Sequence, residues 1–332
     1  MLTQKENFLE TLKKNGKPDR LVNQYQPFVP IMNDPLQRYT RGNRVRGTTS
    51  VDKWGTEILF PEDAPGPMPH VTNENKVCPD ITRWREYVKV PDLQANCSEG
   101  WEDALNSAAA VDRSEKLVLG FMGTGIFEQC HFLMGFEDTL MNFLLEPEYM
   151  HELVDAVAEY RFQYTKLLVD NLKPDVILSH DDWGSKRSLF MQPDIWREFF
   201  KEHYRRIYGY MKEHGVIILH HADSFCEPIV EDMVDVGIDV WQGVLPENDI
   251  VRLQKELDGR MVLMGGIDAT IDRKDATEEE IRADVRRACS TYGPGGHYIP
   301  CMTYGLAGTI YPKTDEIIAD EIERYNRETY GA

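Results

Sequence analysis

The chain is short of positive charge. Its 37 lysines and arginines face 56 aspartates and glutamates, for a formal net charge of -19 over 332 residues. A nucleic-acid or anionic-membrane partner needs a basic footprint, so this balance argues against both. Arg38, Arg41, Arg44 and Arg46 are a local exception, and the stretch reads equally well as a solvated loop or an anion site. Long apolar runs are also lacking: none approaches the roughly 20 residues of a membrane span. The opening Met1-Leu2-Thr3-Gln4-Lys5-Glu6-Asn7 is polar, unlike a secretory signal. Six cysteines (Cys78, Cys97, Cys130, Cys226, Cys289, Cys301) are scattered without framework spacing. These absences together predict a cytoplasmic protein with reduced thiols. No Gly-x-Gly-x-x-Gly follows the first strand, which counts against a dinucleotide fold; Gly120-Phe121-Met122-Gly123-Thr124-Gly125 has the wrong spacing.

What is present is a repeated event, in which a short apolar strand runs out and polar residues sit at its C-terminal tip. Val176-Ile177-Leu178 leads to His180-Asp181-Asp182, and Val216-Ile217-Ile218-Leu219 to His220-His221-Ala222-Asp223. Met261-Val262-Leu263-Met264 leads to Gly265-Gly266-Ile267-Asp268, and Tyr298-Ile299-Pro300 to Cys301. In parallel sheets such tips share one face, where distant residues converge on a ligand.

Strands are expected near 22–30, 57–60, 117–122, 175–179, 216–220, 238–241, 261–265 and 297–301, with helical patterns between them. Prolines open the helices near 148–171 and 193–213, and Thr277-Glu278-Glu279-Glu280 begins another as a capping box. Residues 33–100, rich in proline and poor in periodicity, read as an irregular insertion over one face. Eight strand-helix units predict a single α/β domain, a (β/α)8 barrel, over a doubly wound sheet.

Alternate residues of an extended segment share a face, so His220 points with Ala222, and His221 with Asp223. Imidazole, thiolate and carboxylate at these tips permit a zinc site with an open position. The bland alternative is a hydrogen-bonded wall histidine and a buried Cys301. Asp181, Asp182 and His221 are the candidate acid-base groups. Of the two adjacent carboxylates one is expected to enter the pocket and the other to cap a turn or pair with Lys186 or Arg187. Phe121, Met122, Trp183, Trp241 and Tyr304 suggest an apolar, ring-accepting pocket, with Gln242 and Asp268 as its polar contacts.

At Val51-Asp52-Lys53-Trp54-Gly55, His180-Asp181-Asp182-Trp183-Gly184-Ser185, Leu219-His220-His221-Ala222-Asp223, Gly265-Gly266-Ile267-Asp268 and Tyr298-Ile299-Pro300-Cys301 the chain resembles the uroporphyrinogen decarboxylase superfamily, and its corrinoid-dependent methyltransferase branch in particular. The resemblance implies a barrel, methyl transfer to a corrinoid carried by a partner protein, and catalytic zinc. Decarboxylases of the superfamily carry Met-Arg-Gln-Ala-Gly-Arg after the first strand; here Pro30-Ile31-Met32-Asn33-Asp34-Pro35 stands there. The zinc enzymes show His-x-Cys at one tip and a second cysteine near the last strand. Matched to that pattern, the metal ligands are His220 and Cys301, with Ala222 in place of the first cysteine and Asp223 or His221 as a further ligand. Losing a thiolate hardens the metal toward oxygen, so the expected donor is a small methoxylated aromatic. A decarboxylase using the arginine stretch and a non-catalytic corrinoid-protein docking subunit are the alternatives.

Overall fold

The computed structural model describes residues 1–41, 44–64, 66–304 and 311–331. Ten strands run in chain order: β1 Phe28–Ile31, β2 Thr48–Val51, β3 Glu57–Phe60, β4 Met68–Pro69, β5 Leu117–Met122, β6 Val176–His180, β7 Ile217–His221, β8 Val240–Val244, β9 Val262–Ile267 and β10 Tyr298–Met302. Seven of them form one curled sheet in the order β1-β5-β6-β7-β8-β9-β10, every ladder parallel. Helices such as Pro147–Leu172, Glu202–Glu213 and Glu278–Tyr292 join successive strands and cover the outside.

The sheet curls around a single interior cluster. Phe28, Leu117, Leu119, Phe121, Val176, Leu178, Leu219, Val240, Val262, Met264, Ile299 and Cys301 meet there, so all seven strands contribute. The strand residues between them, among them Val118, Ile177, Ile218, Trp241 and Leu263, pack outward against the helices. The helix Gln4–Leu12 lies across the N-terminal strand ends. Lys5 N–H donates to Glu115 just before β5, and Thr11 C=O faces His297 Nδ1 just before β10. Its Phe8 meets Phe28 edge to face at 4.9 Å and closes that end. Burying one such ring stabilises by roughly 2 kcal/mol. The C-terminal ends are left to form a site.

Two expectations need correction. The barrel sheet has seven strands among the described residues, where eight were expected. Glu57–Phe60 is a strand, but it is the centre of a separate antiparallel sheet, β2-β3-β4. Its flanking segments lie within ten residues and satisfy both its edges through short turns, whereas a parallel partner needs a long crossover. β1 pairs directly with β5 instead. The first strand is also shorter than 22–30, because residues 24–27 turn before Phe28. Gln24, at φ 47°, accepts from the Met302 N–H of β10 and so bridges the two edges of the curled sheet. The 33–100 segment contributes the small sheet and short helices, and it packs on the helices Ile126–Met134 and Pro147–Leu172 through Thr56, Cys78 and Trp54.

Candidate functional site

Register decides what each strand tip presents. His180 of β6 pairs with His221 of β7, and His221 with Gln242 of β8. These three continue the inward positions Leu178, Leu219 and Val240, so they form one row at the C-terminal end of the lumen. One residue earlier, Ser179, His220 and Trp241 form a second row on the outer face, in the same register.

The inner row is tied together by its polar contacts. Gln242 Nε2 donates to the carbonyls of Met302 (3.3 Å) and Tyr304 (3.0 Å), so Oε1 is the atom facing His221 Nδ1 at 2.5 Å. The His221 Nδ1 therefore carries the proton, and Nε2 keeps a free lone pair. Burial and the charge of His180 hold His221 down at about 3, so the ring is neutral. Across from it, His180 Nδ1 meets Glu128 Oε2 at 2.9 Å. Burial opposes both charges, yet their mutual attraction outweighs it. Glu128 falls to about 2 and His180 rises to about 9, with Asp182 and Asp223 adding to the latter. The two imidazoles stack, with centroids 4.4 Å apart.

Asp182 completes a cluster. One ligand atom each from His180, Asp182 and His221 lie within 4.8 Å of one another, and His221 Nε2 stands 3.9 Å from Asp182 Oδ1. Burial pushes the Asp182 carboxyl up, with Asp223 and Glu128 adding to it against the pull of His180. Two imidazoles, one carboxylate and an open mouth fit a divalent ion such as zinc with three protein ligands, its binding displacing the second proton of His180 and the proton of Asp182. Each imidazole's other nitrogen is already engaged, His180 by Glu128 and His221 by Gln242. That outer pairing fixes ring orientation in metal sites.

The structure does not bring the expected trio of His220, Asp223 and Cys301 together. His220 is outward and fully buried; it stacks on Trp183 at 4.0 Å, and its Nδ1 lies 2.7 Å from Tyr208 Oη. Cys301 is inward, but it is buried in the interior cluster and lies outside the set within reach of one ion. Asp223 stands at the mouth beside Asp182, whose Oδ1 accepts its N–H at 3.0 Å, and burial raises its carboxyl to about 6. Matched by face, the pair that enters the lumen is His221-x-Asp223.

Asp181 turns away from the lumen. It accepts from the N–H groups of Phe127 and Glu128, from Trp183 Nε1 and from Tyr204 Oη, at 2.5–3.1 Å. It thereby caps the start of the helix Ile126–Met134 and anchors the loop that carries Glu128. Gly125 permits this, because a Cβ there would sit 1.9 Å from the Asp181 carboxyl carbon.

The expected substrate contacts divide in the same way. Phe121 faces the lumen under the Arg41 guanidinium, 4.8 Å from ring centre, and Gln242 belongs to the inner row. Tyr304 and Asp268 are at the rim, where Asp268 caps the turn Ala269–Ile271 and lies 3.9 Å from Lys186. Met122, Trp183 and Trp241 lie on the outer side of the wall: Met122 Sδ accepts from Thr165, Trp183 donates to Asp181, and Trp241 donates to Ala222 C=O. Sequence reasoning missed His180 and Glu128. The helix-start pattern in which Glu128 accepts from Gly125 N–H at 2.9 Å was the available signal for Glu128, whereas the apolar run before His180 is buried on both faces and marks no inward phase.

With this geometry in hand, residues 48–325 match the family model described as uroporphyrinogen decarboxylase (URO-D). Among curated relatives, a uroporphyrinogen decarboxylase of Bordetella petrii is 24% identical over 287 residues, covering 80% of this chain and 73% of the relative. One of Neisseria meningitidis is 21% identical over 240 residues, covering 69% of this chain and 65% of the relative. Among solved structures, a methyltransferase from Methanosarcina mazei superposes with a TM-score of 0.67 at 17% identity, covering 98% of this chain and 99% of that one.

Proposed function

This chain belongs to the uroporphyrinogen decarboxylase family, and from that premise we propose that it transfers a methyl group from a small methoxylated aromatic to a corrinoid carried by a partner protein. The observation that carries the reading is the His180, Asp182, His221 cluster at the lumen mouth. Its donors are nitrogen and oxygen, a harder set than one rich in thiolate, and it suits a substrate that leaves through oxygen. A divalent ion held there would supply Lewis acidity toward the ether oxygen as the carbon-oxygen bond breaks.

The remaining roles belong to the chain. Gln242 keeps the His221 lone pair directed into the lumen, and Glu128 orients His180. Asp223, half-buried beside the cluster, is within the same mouth to hydrogen-bond the leaving oxygen. Phe121 offers an aromatic wall, and the interior cluster below it excludes water. The likeness of fold to the Methanosarcina mazei methyltransferase over nearly the whole chain supports the reading.

The family's decarboxylase activity finds less support. Where the arginine-bearing stretch is expected, Asn33 bonds Ser107 Oγ at 3.1 Å and Asp34 caps the helix Pro35–Thr40.

The test is spectroscopic. Purified protein loaded with zinc is mixed with cob(I)alamin and a panel of methoxyaromatics, methylamines, methanol and methylthiols. Loss of the cob(I)alamin band with growth of methylcobalamin, for a methoxyaromatic, is the expected result. Silence across the panel, persisting with candidate corrinoid proteins added, overturns the proposal.

A further inference from the structure

A cavity of about 430 Å³ opens beside β1, where the curled sheet does not close on itself. β1 and β10 are the edges of that sheet, and no ladder joins them among the described residues. Phe28 and Leu119 of the interior cluster line the cavity, with Pro30, the register partner of Leu119. Pro30 shares the inward phase of Phe28 and is nonetheless exposed, so the space beside the lumen reaches solvent here. Residues 23–26, with Asp315 and Ala319 of the helix Pro312–Tyr330, complete the described lining.

The walls are fixed in place before any ligand arrives. Asn23 Nδ2 donates to the Ala319 carbonyl at 2.9 Å and to Glu323 Oε1 at 2.8 Å, and Lys116 donates to the Gln26 carbonyl. Gln24 Oε1 accepts from Met302 N–H at 3.3 Å. Phe8 and Tyr25 both meet the Phe28 ring edge to face, at 4.9 and 6.4 Å, and hold it as an aromatic wall. With its oxygen engaged, Gln24 keeps an Nε2 that has no partner among the described residues, and the Gln26 amide has none either. Both residues are partly exposed. The described lining holds no lysine, arginine or histidine, and Asp315 is its one carboxylate.

Apolar and aromatic walls beside a carboxylate and no cation select against an anion, and free amide groups select for a ligand with a hydrogen-bonding oxygen. The volume sits near the low end of the roughly 300–1,000 Å³ of small-molecule pockets, room for a single ring and not for a tetrapyrrole. We propose that this cavity binds one uncharged single-ring aromatic molecule carrying an oxygen acceptor, its ring against Phe28, Pro30 and Leu119 and its oxygen on the amides of Gln24 and Gln26. The cavity adjoins the candidate metal site. Leu119 precedes Phe121 in the same inward file, and the Met302 backbone is bonded by both Gln24 and Gln242. Its role as the seat of the methyl donor rests on the methyl-transfer reading, whereas the binding itself does not.

Isothermal titration calorimetry of the full chain, without corrinoid, tests it with guaiacol as the probe and benzoate as the anionic control. Saturable binding of one guaiacol per chain is expected, and no binding of benzoate. Ala319→Phe, which fills the cavity from the helix and leaves the residue's carbonyl to Asn23, is expected to abolish guaiacol binding in a folded protein. Gln26→Leu, a second and nearly isosteric variant, should bind roughly 3- to 10-fold more weakly. Crystals soaked in 4-bromoanisole are expected to show an anomalous peak in the cavity. No saturable guaiacol binding, undiminished binding in both variants, benzoate binding as tightly as guaiacol, or a bromine peak only elsewhere overturns the proposal. Guaiacol that binds in the cavity without yielding its methyl group to cob(I)alamin upholds the proposal and counts against the methyl-transfer reading instead.

Discussion

Two rows of side chains, one residue apart in sequence and in the same register across β6, β7 and β8, have opposite fates. The outer row of Ser179, His220 and Trp241 is locked into packing. Tyr208 Oη bridges Ser179 Oγ at 2.9 Å and His220 Nδ1 at 2.7 Å, and Trp183 stacks over the His220 ring. The inner row of His180, His221 and Gln242 is also hydrogen-bonded, but each histidine is held by one nitrogen while the other remains toward the lumen. The same residue type in adjacent positions is thus a structural strut on one face and a candidate ligand on the other. What separates them is the phase of the strand, and residue identity says nothing about it.

The comparison breaks most sharply at the histidine pair. His221→Ala is expected to abolish methyl transfer and stoichiometric zinc, leaving Tm within a few degrees of wild type. His220→Ala should retain zinc in the folded protein but lose about 2–4 kcal/mol of stability, because it opens a cavity and orphans a Tyr208 hydrogen bond. Metal analysis by mass spectrometry alongside chemical denaturation reads both. Similar behaviour of the two variants would erase the distinction between the rows.

The adjacent carboxylates repeat the contrast. Asp181→Asn should cost about 2–3 kcal/mol, since a charged acceptor of four donors becomes a neutral one, with zinc content unchanged. Asp182→Asn should instead weaken zinc binding, measurable by competition with a chromogenic chelator, at little cost in stability. A subtler effect is expected one step back from the cluster. Gln242→Met removes the acceptor that fixes the His221 proton, and zinc affinity should fall by roughly 10–100-fold.

The smallest effect belongs to a carboxylate outside both rows. Burial raises Asp52 to about 6 against the pull of its backbone donors and Arg44. The protonated form is favoured in the folded chain. Its contribution is therefore complete below the ordinary value near 3.8 and is lost as pH rises through about 6. Relative to Asp52→Asn, wild type should lose about 1–2 kcal/mol between pH 4.5 and 7, after allowing for partial exposure. Urea unfolding in halide-free buffer checks the sign.

The strand-and-tip pattern made the fold class legible, and each of the seven sheet strands begins or ends within about two residues of its expected limits. The phase was not legible. Val176-Ile177-Leu178 and Ile217-Ile218-Leu219 are apolar at every position because parallel strands here are buried on both faces, and a continuous apolar run carries no mark of which residues point inward. That is why a motif match fell on His220 when the lumen takes His221. Glu128 was hidden for a different reason: it meets His180 across 52 positions of sequence, and only the helix start capped by Asp181 brings it there. The expected second barrel strand failed because Glu57–Phe60 has strand character without any sign of which sheet it joins.

The amide of Gln242 has one consequence beyond holding a ring. Its orientation is dictated by two carbonyls of the chain leaving β10, Met302 and Tyr304. If that backbone withdraws, nothing favours Nε2 over Oε1 on that side, and a half-turn of the amide would present a donor to His221. The imidazole would then have to surrender its Nδ1 proton and carry it on Nε2, closing the lone pair that faces the cluster. The last strand of the sheet therefore sets the tautomer of a residue on a strand three positions away.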